Sequence, residues 1–199
     1  SALAKIAQEV ESCQQCPLCQ GTNRAVPGQG SSNSKIVFIG EAPGVQEDRQ
    51  GIPFCGPAGR LLDHLLSEID LKRKDVFIGN VIKHRPPNNR DPEPKEIKAC
   101  FPFLVAQLNI LKPELIVTLG RYALGVFLPN YSISQIHGQP KRIDWELSPY
   151  FKDQEMYQKK IVVLPLYHPA AALYRNSMKG ILEEDFRKIP LILEKITKT

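Results

Sequence analysis

The sequence predicts an α/β fold: a three-layer α/β/α sandwich around a central, mainly parallel four-stranded sheet. Three observations carry this. Four short apolar runs read as buried strands, helical patterns alternate with them in the βαβ manner, and 199 residues suffice to bury a two-sided sheet as a single domain over 1–199. The predicted strands are Lys35–Gly40, Val76–Ile82, Leu115–Leu119 and Ile161–Leu166.

The helices follow from periodicity. Ala2–Glu11 reads as a short N-terminal helix. Ala58–Ile69 places Leu61, Leu62, Leu65, Leu66 and Ile69 on one broad stripe, a core-facing pattern. Pro94–Leu111 carries Phe101, Leu104, Leu108 and Leu111 on one face, with Glu93 and Glu96 near its positive end. Gly180–Lys195 reads as one closing amphipathic helix. Gly120–Leu124 is assigned to packing, and His137 to the surface.

Composition narrows the partners. The chain has 26 Lys and Arg against 21 Asp and Glu, net +5, which favours an anionic partner without naming one. No apolar stretch reaches the ~20 residues of a membrane span and no signal-peptide pattern opens the sequence, so a cytoplasmic protein with no membrane partner is expected, most simply a monomer. Five cysteines form no even secreted framework. Their clustering around Cys13-Gln-Gln-Cys16, within a segment at about 10–20, points to metal rather than disulfides.

The most informative stretch runs from Lys35 to Gly59. After the strand come Glu41, Glu47, Asp48 and Phe54, in a segment broken by Gly44, Gly51, Gly56, Gly59 and several prolines. It reads as a loop until about Ala58, far longer than the roughly 2–6 residues of an ordinary connection. Ligands of open α/β sheets bind beyond the carboxyl ends of strands, so functional side chains are expected just past Gly40.

The order G-E-A-P-G, then E-D-R-x-G-x-P-F, then G-x-A-G resembles the first motif of the uracil-DNA glycosylase superfamily, most closely its family 4, which carries an iron–sulfur cluster. Asn80-Val-Ile-Lys-His84-Arg-Pro-Pro-Asn-Asn-Arg90 and Tyr167-His168-Pro169-Ala170 continue the resemblance, which spans roughly Val10 to Lys195. It implies a DNA-repair enzyme that flips uracil out of single- or double-stranded DNA and hydrolyses its glycosidic bond. Catalysis would fall to Glu41 and His168, with Glu47 or Asp48 sharing the work of Glu41. Ala42 and Pro43 would line the base site, Phe54 would stack on the base and Asn80 would read its edge. Glu47 would stand against C5 and reject thymine. Arg85 and Arg90 are candidates for phosphate contacts, and Leu173, Tyr174 or Arg175 for the wedge that fills the gap left in the helix.

The resemblance also implies a four-iron four-sulfur (4Fe-4S) cluster on Cys13, Cys16, His84 and Cys100, with histidine where family 4 has its third cysteine. Cys19 as fourth ligand, or zinc on the same Cys3His set, are the other readings of these residues. Two further functions stay open. One is the superfamily branch that traps uracil-DNA covalently, which shares Lys-His but needs a basic insertion that this chain lacks after His84. The other is a non-catalytic nucleic-acid or iron–sulfur module.

Overall fold

The computed structural model describes residues 1–198. Its sheet contains β1 (Gln29–Gly30), β2 (Ile36–Gly40), β3 (Phe77–Asn80), β4 (Leu115–Leu119), β5 (Lys141–Asp144) and β6 (Lys160–Leu166), in the spatial order β1-β3-β2-β4-β6-β5. The four predicted strands are the parallel centre of this sheet. Two antiparallel edge strands correct the four-stranded expectation to six. Neither edge offers the apolar run that betrays a buried strand: β1 has two residues, and β5 reads K-R-I-D with only Ile143 buried. The charged β5 edge also discourages pairing with other chains.

Nine helices surround the sheet among the described residues: α1 (Ala2–Glu11), α2 (Val45–Gln50), α3 (Pro57–Ser67), α4 (Pro94–Leu111), α5 (Arg121–Phe127), α6 (Ile133–Ile136), α7 (Pro169–Ala172), α8 (Asn176–Phe186) and α9 (Ile189–Thr197). Strand side chains alternate between faces, so β2 feeds two cores. Val37 and Ile39 join Leu104 and Leu108 of α4 and Leu124 of α5 on one side. Ile36 and Phe38 join Leu62, Leu65 and Leu66 of α3 and Phe186 of α8 on the other, completing three layers. Each fully buried leucine of this kind contributes roughly 1.5–3 kcal/mol.

Local chemistry sets the helix ends. In α4, Glu93 and Glu96 form a reciprocal cap with Pro94 at the first turn, where its missing N–H costs nothing. The expected single helix Gly180–Lys195 is instead α8 and α9, because Pro190 fits the first turn of a new helix and would break the interior of a continuous one. The expected loop past Gly40 contains α2, which starts after Gly44 and stops at Gly51 in the left-handed conformation (φ 73°). Six residues without an apolar stripe leave no periodic trace. His137 is also corrected: it is half-buried, and its Nδ1 lies 2.7 Å from the carboxylate of buried Asp185, which Lys188 contacts from the other side at 2.7 Å.

The parallel register positions the site. Gly40 pairs with Asn80 and Leu119 with Leu166, so four strands end at one edge. β2 lies between β3 and β4, and the chain moves outward from it in both directions, making this edge a topological switch point.

Candidate active site

At that edge Glu41, Ala42, Pro43, Glu47, Phe54, Asn80 and His168 line one cavity of about 380 Å³, joined by Ala58, Asn89 and Arg90. The sheet register explains the first pair. Glu41 leaves β2 beside Asn80 at the end of β3, and its carbonyl accepts from the Ile82 N–H at 3.1 Å, which prolongs the pairing under the site. Asn80 is 2% exposed, and its Oδ1 has no hydrogen-bond partner. An unpaired buried amide oxygen costs on the order of 1–3 kcal/mol. Such a cost is expected where a ligand supplies the missing donor.

Phe54 and His168 form one wall, with ring centroids 5.4 Å apart and planes 23° from parallel. Phe54 has φ 51°, unusual for a bulky residue. Its conformation is fixed by neighbours: Arg73 donates to the Pro53 carbonyl at 2.8 Å and also to that of Phe54. Gly59 permits the turn, because a Cβ there would meet the Phe54 oxygen at 1.6 Å. Gly40 serves the floor in the same way, with a would-be Cβ 2.5 Å from Asn80 Oδ1 and 2.7 Å from Phe54 Cζ. His168 caps α7, its Nδ1 accepting from the Ala170 N–H at 3.1 Å. Burial pushes its pKa down to about 4, with Glu47 opposing. The imidazole is therefore neutral at pH 7 and carries its proton on Nε2, as a donor.

The carboxylates divide. Burial, reinforced by Asp91 and opposed by Arg121, pushes Glu41 up to about 7. Glu47 accepts from the Gly56 N–H at 3.0 Å, bracing the segment that carries Phe54. Asp48 does not reach the cavity: it is 2% exposed and accepts from the Asn23 backbone at 2.9 Å and side chain at 2.5 Å, tying α2 to the N-terminal segment.

The candidate DNA contacts are placed unevenly. Arg90 lines the cavity, but its guanidinium is held by both oxygens of Glu96 at 2.9 and 2.6 Å. Arg85 donates to Asn89 at 2.7 Å. Leu173, Tyr174 and Arg175 follow α7, with Tyr174 90% exposed. One part of the site escapes sequence reasoning altogether. Lys83, 1% exposed, donates to the Asn80 carbonyl at 2.9 Å and to Gln107 at 2.8 Å, and Gln107 in turn donates to the Pro27 carbonyl at 2.6 Å. A lysine inside a basic segment gives no sign of being buried.

The expected cluster is corrected. Among the described residues, no group of three or more His, Cys, Asp or Glu side chains is gathered so as to hold a metal ion. Cys100 is buried, and burial pushes its thiol up to about 11. His84 has Asp48 as its charged neighbour. Cys13, Cys16, His84 and Cys100 therefore do not fit a 4Fe-4S cluster here, and neither the Cys19 nor the zinc variant survives.

A slot walled by an aromatic ring, floored by an unpaired amide and faced by a neutral imidazole has the shape and chemistry to suit a planar ring with hydrogen-bonding edges. The chain belongs to the uracil DNA glycosylase superfamily, whose family model matches residues 27–189. It is similar over nearly its whole length to type-4 uracil-DNA glycosylases. It is 48% identical to that of Sulfurisphaera tokodaii, over 94% of this chain and 83% of that protein. For Archaeoglobus fulgidus the values are 42%, 94% and 92%, and for Thermotoga maritima 40%, 96% and 94%.

Proposed function

We propose that this protein is a DNA-repair glycosylase that excises uracil from DNA by hydrolysis, leaving an abasic site. The observation that carries the reading is Asn80 Oδ1, a buried acceptor without a partner inside a cavity walled by Phe54 and His168. Uracil N3–H supplies the donor this oxygen lacks, and the amide N–H of Asn80 faces O4. Cytosine offers the opposite pattern. Phe54 stacks on the flipped base, worth on the order of 1–3 kcal/mol, and Glu47 stands against C5.

Bond cleavage separates charge. The base leaves as an anion, and the Nε2–H of neutral His168 donates to uracil O2 as that charge develops, at no electrostatic cost to the empty site. The sugar becomes cationic. The Glu41 carboxylate stabilises it and orients the attacking water. The nucleotide reaches the cavity only after leaving the helix, and one of exposed Leu173, Tyr174 or Arg175 beside the His168 loop supplies the wedge. Arg85 contributes to the phosphate contacts, while the bidentate Glu96 pair makes Arg90 a brace for the cavity wall.

Incubation with single-stranded DNA carrying one uracil, followed by alkali and a denaturing gel, tests this. Cleavage at the uracil is expected. A heat-stable slow-migrating adduct would transfer the protein to the covalent-trapping branch, and an unchanged strand would remove the activity.

A further inference from the structure

Asn80 is held from behind by groups that the base never meets. Its side chain lines the cavity, but its carbonyl points away from β2, because the Val81 N–H of the same trans peptide already donates to the Gly40 carbonyl at 2.9 Å. On that far side the neighbour is the segment entering β1. β1 pairs antiparallel with β3 through Gln29 with Ile78 and Gly30 with Phe77, and the same register carried two residues further sets Pro27 opposite Asn80. Proline has no N–H to give. Lys83 supplies the missing donor. Its Nζ donates to the Asn80 carbonyl at 2.9 Å and to Gln107 Oε1 at 2.8 Å, and the Gln107 amide closes the chain by donating to the Pro27 carbonyl at 2.6 Å. A Cβ built on Gly79 would lie 3.8 Å from Lys83 Nζ and 3.9 Å from Gly28 Cα, so the ammonium fills the seam between β3 and the incoming segment. Asn80, Lys83 and Gln107 are each 3% exposed or less.

We infer that Lys83 and Gln107 are positioning residues for the choice of base: they fix the peptide plane that follows Asn80, and with it the direction in which the Asn80 amide meets a flipped nucleotide. The inference rests on the reading of Asn80 as the group that recognises uracil. That recognition needs Oδ1 aimed at N3–H and the amide N–H aimed at O4, in one plane. A backbone free to turn at Asn80 would spoil both bonds together, and with them the contrast with cytosine. Lys83 and Gln107 act through contacts on the side of Asn80 away from the base, so neither is a catalytic residue, and neither lines the cavity. Gln107 lies on α4 and Pro27 precedes β1, so the chain of bonds ties the recognition strand to two segments distant in sequence.

The test is the affinity of wild type, Lys83→Met, Gln107→Met and Ile192→Ala for two duplexes that differ at one position opposite guanine. One carries cytosine, the other a uridine whose 2′-fluorine blocks cleavage by disfavouring a cationic sugar. Ile192 belongs to the core across the sheet from α4 and controls for general loosening of the fold. Wild type should bind the uracil duplex more tightly. Lys83→Met should reduce that preference roughly 3–10-fold, about the worth of one hydrogen bond, and Gln107→Met should reduce it less, in the same direction. Ile192→Ala should lower Tm and keep the wild-type preference. An unchanged preference in Lys83→Met, or an equal fall in Ile192→Ala, overturns the inference and leaves the role of Asn80 intact. If Lys83→Met does not fold, Gln107→Met decides alone, and an unchanged preference there overturns the inference. A wild type without preference, or an Asn80→Ala protein that keeps it, overturns the reading of Asn80, and the inference with it.

Discussion

The Ala170 N–H donates to Nδ1 of His168 at 3.1 Å, and this one bond decides which imidazole nitrogen faces the base. With the ring neutral down to about pH 4, Nε2–H is the only proton it can offer. His168→Ala should slow single-turnover excision at least ~100-fold, a typical loss for one charge-stabilising donor, with little change in DNA affinity. A variant within about tenfold of wild type would mean that another group carries the leaving base.

Asn80→Asp should alter the choice of base. One amide donor becomes a carboxylate oxygen, which repels uracil O4 and accepts from the cytosine amino group. Cytosine excision from C·G duplexes should rise relative to uracil from U·G, even with both slow. Unchanged uracil preference and rate would take Asn80 out of recognition.

Gly59 sets local propensity against packing. Glycine to alanine inside a helix ordinarily gains ~1 kcal/mol. In α3 the added Cβ would meet the Phe54 carbonyl at 1.6 Å. Overpacking costs ~1–3 kcal/mol, and a backbone overlap this close belongs at the upper end of that range, so net of the gain Gly59→Ala should lower Tm by roughly 4–8 °C. Calorimetry showing an equal or higher Tm would refute the tight turn at Phe54.

Lys83 pairs with the carbonyl of Asn80 and with Gln107 in a fully buried place. Lys83→Met strands two buried acceptors, each costing ~1–3 kcal/mol, but also spares the molecule a buried cation, whose pKa burial already draws down to about 8. The two bonds are expected to win. Urea unfolding should shift to a lower midpoint; an equal or higher one would show that desolvating the cation outweighs its bonds.

The central strands were legible because each is buried on both faces and so reads as an unbroken apolar run, Leu115–Leu119 to the residue. Edge strands β1 and β5 and the short helix α2 were not, since each buries too little to impose a period. Glu41, Phe54, Asn80 and His168 could be named from motif order, and the parallel register brings them together. Lys83 and Gln107 could not. Their importance depends on contacts between distant segments, and an isolated charge looks the same in sequence whether it is buried, paired or solvated. The cysteine spacing misled for a related reason: spacing fixes which residues can approach, not which do.

The division of charge between Glu41 and His168 is tested most directly by the pH profile of single-turnover excision in wild type and Glu41→Gln. Glu41 is raised to about 7, so it is protonated below that pH and a carboxylate above it, whereas His168 does not change charge until about 4. The wild-type rate should therefore level off above about pH 7 and fall toward tenfold per unit below it. Glu41→Gln should be slow and flat across the same range. A wild-type rate independent of pH between about 5.5 and 8.5, or a Glu41→Gln enzyme that keeps the acid limb, would contradict the assignment of the carboxylate.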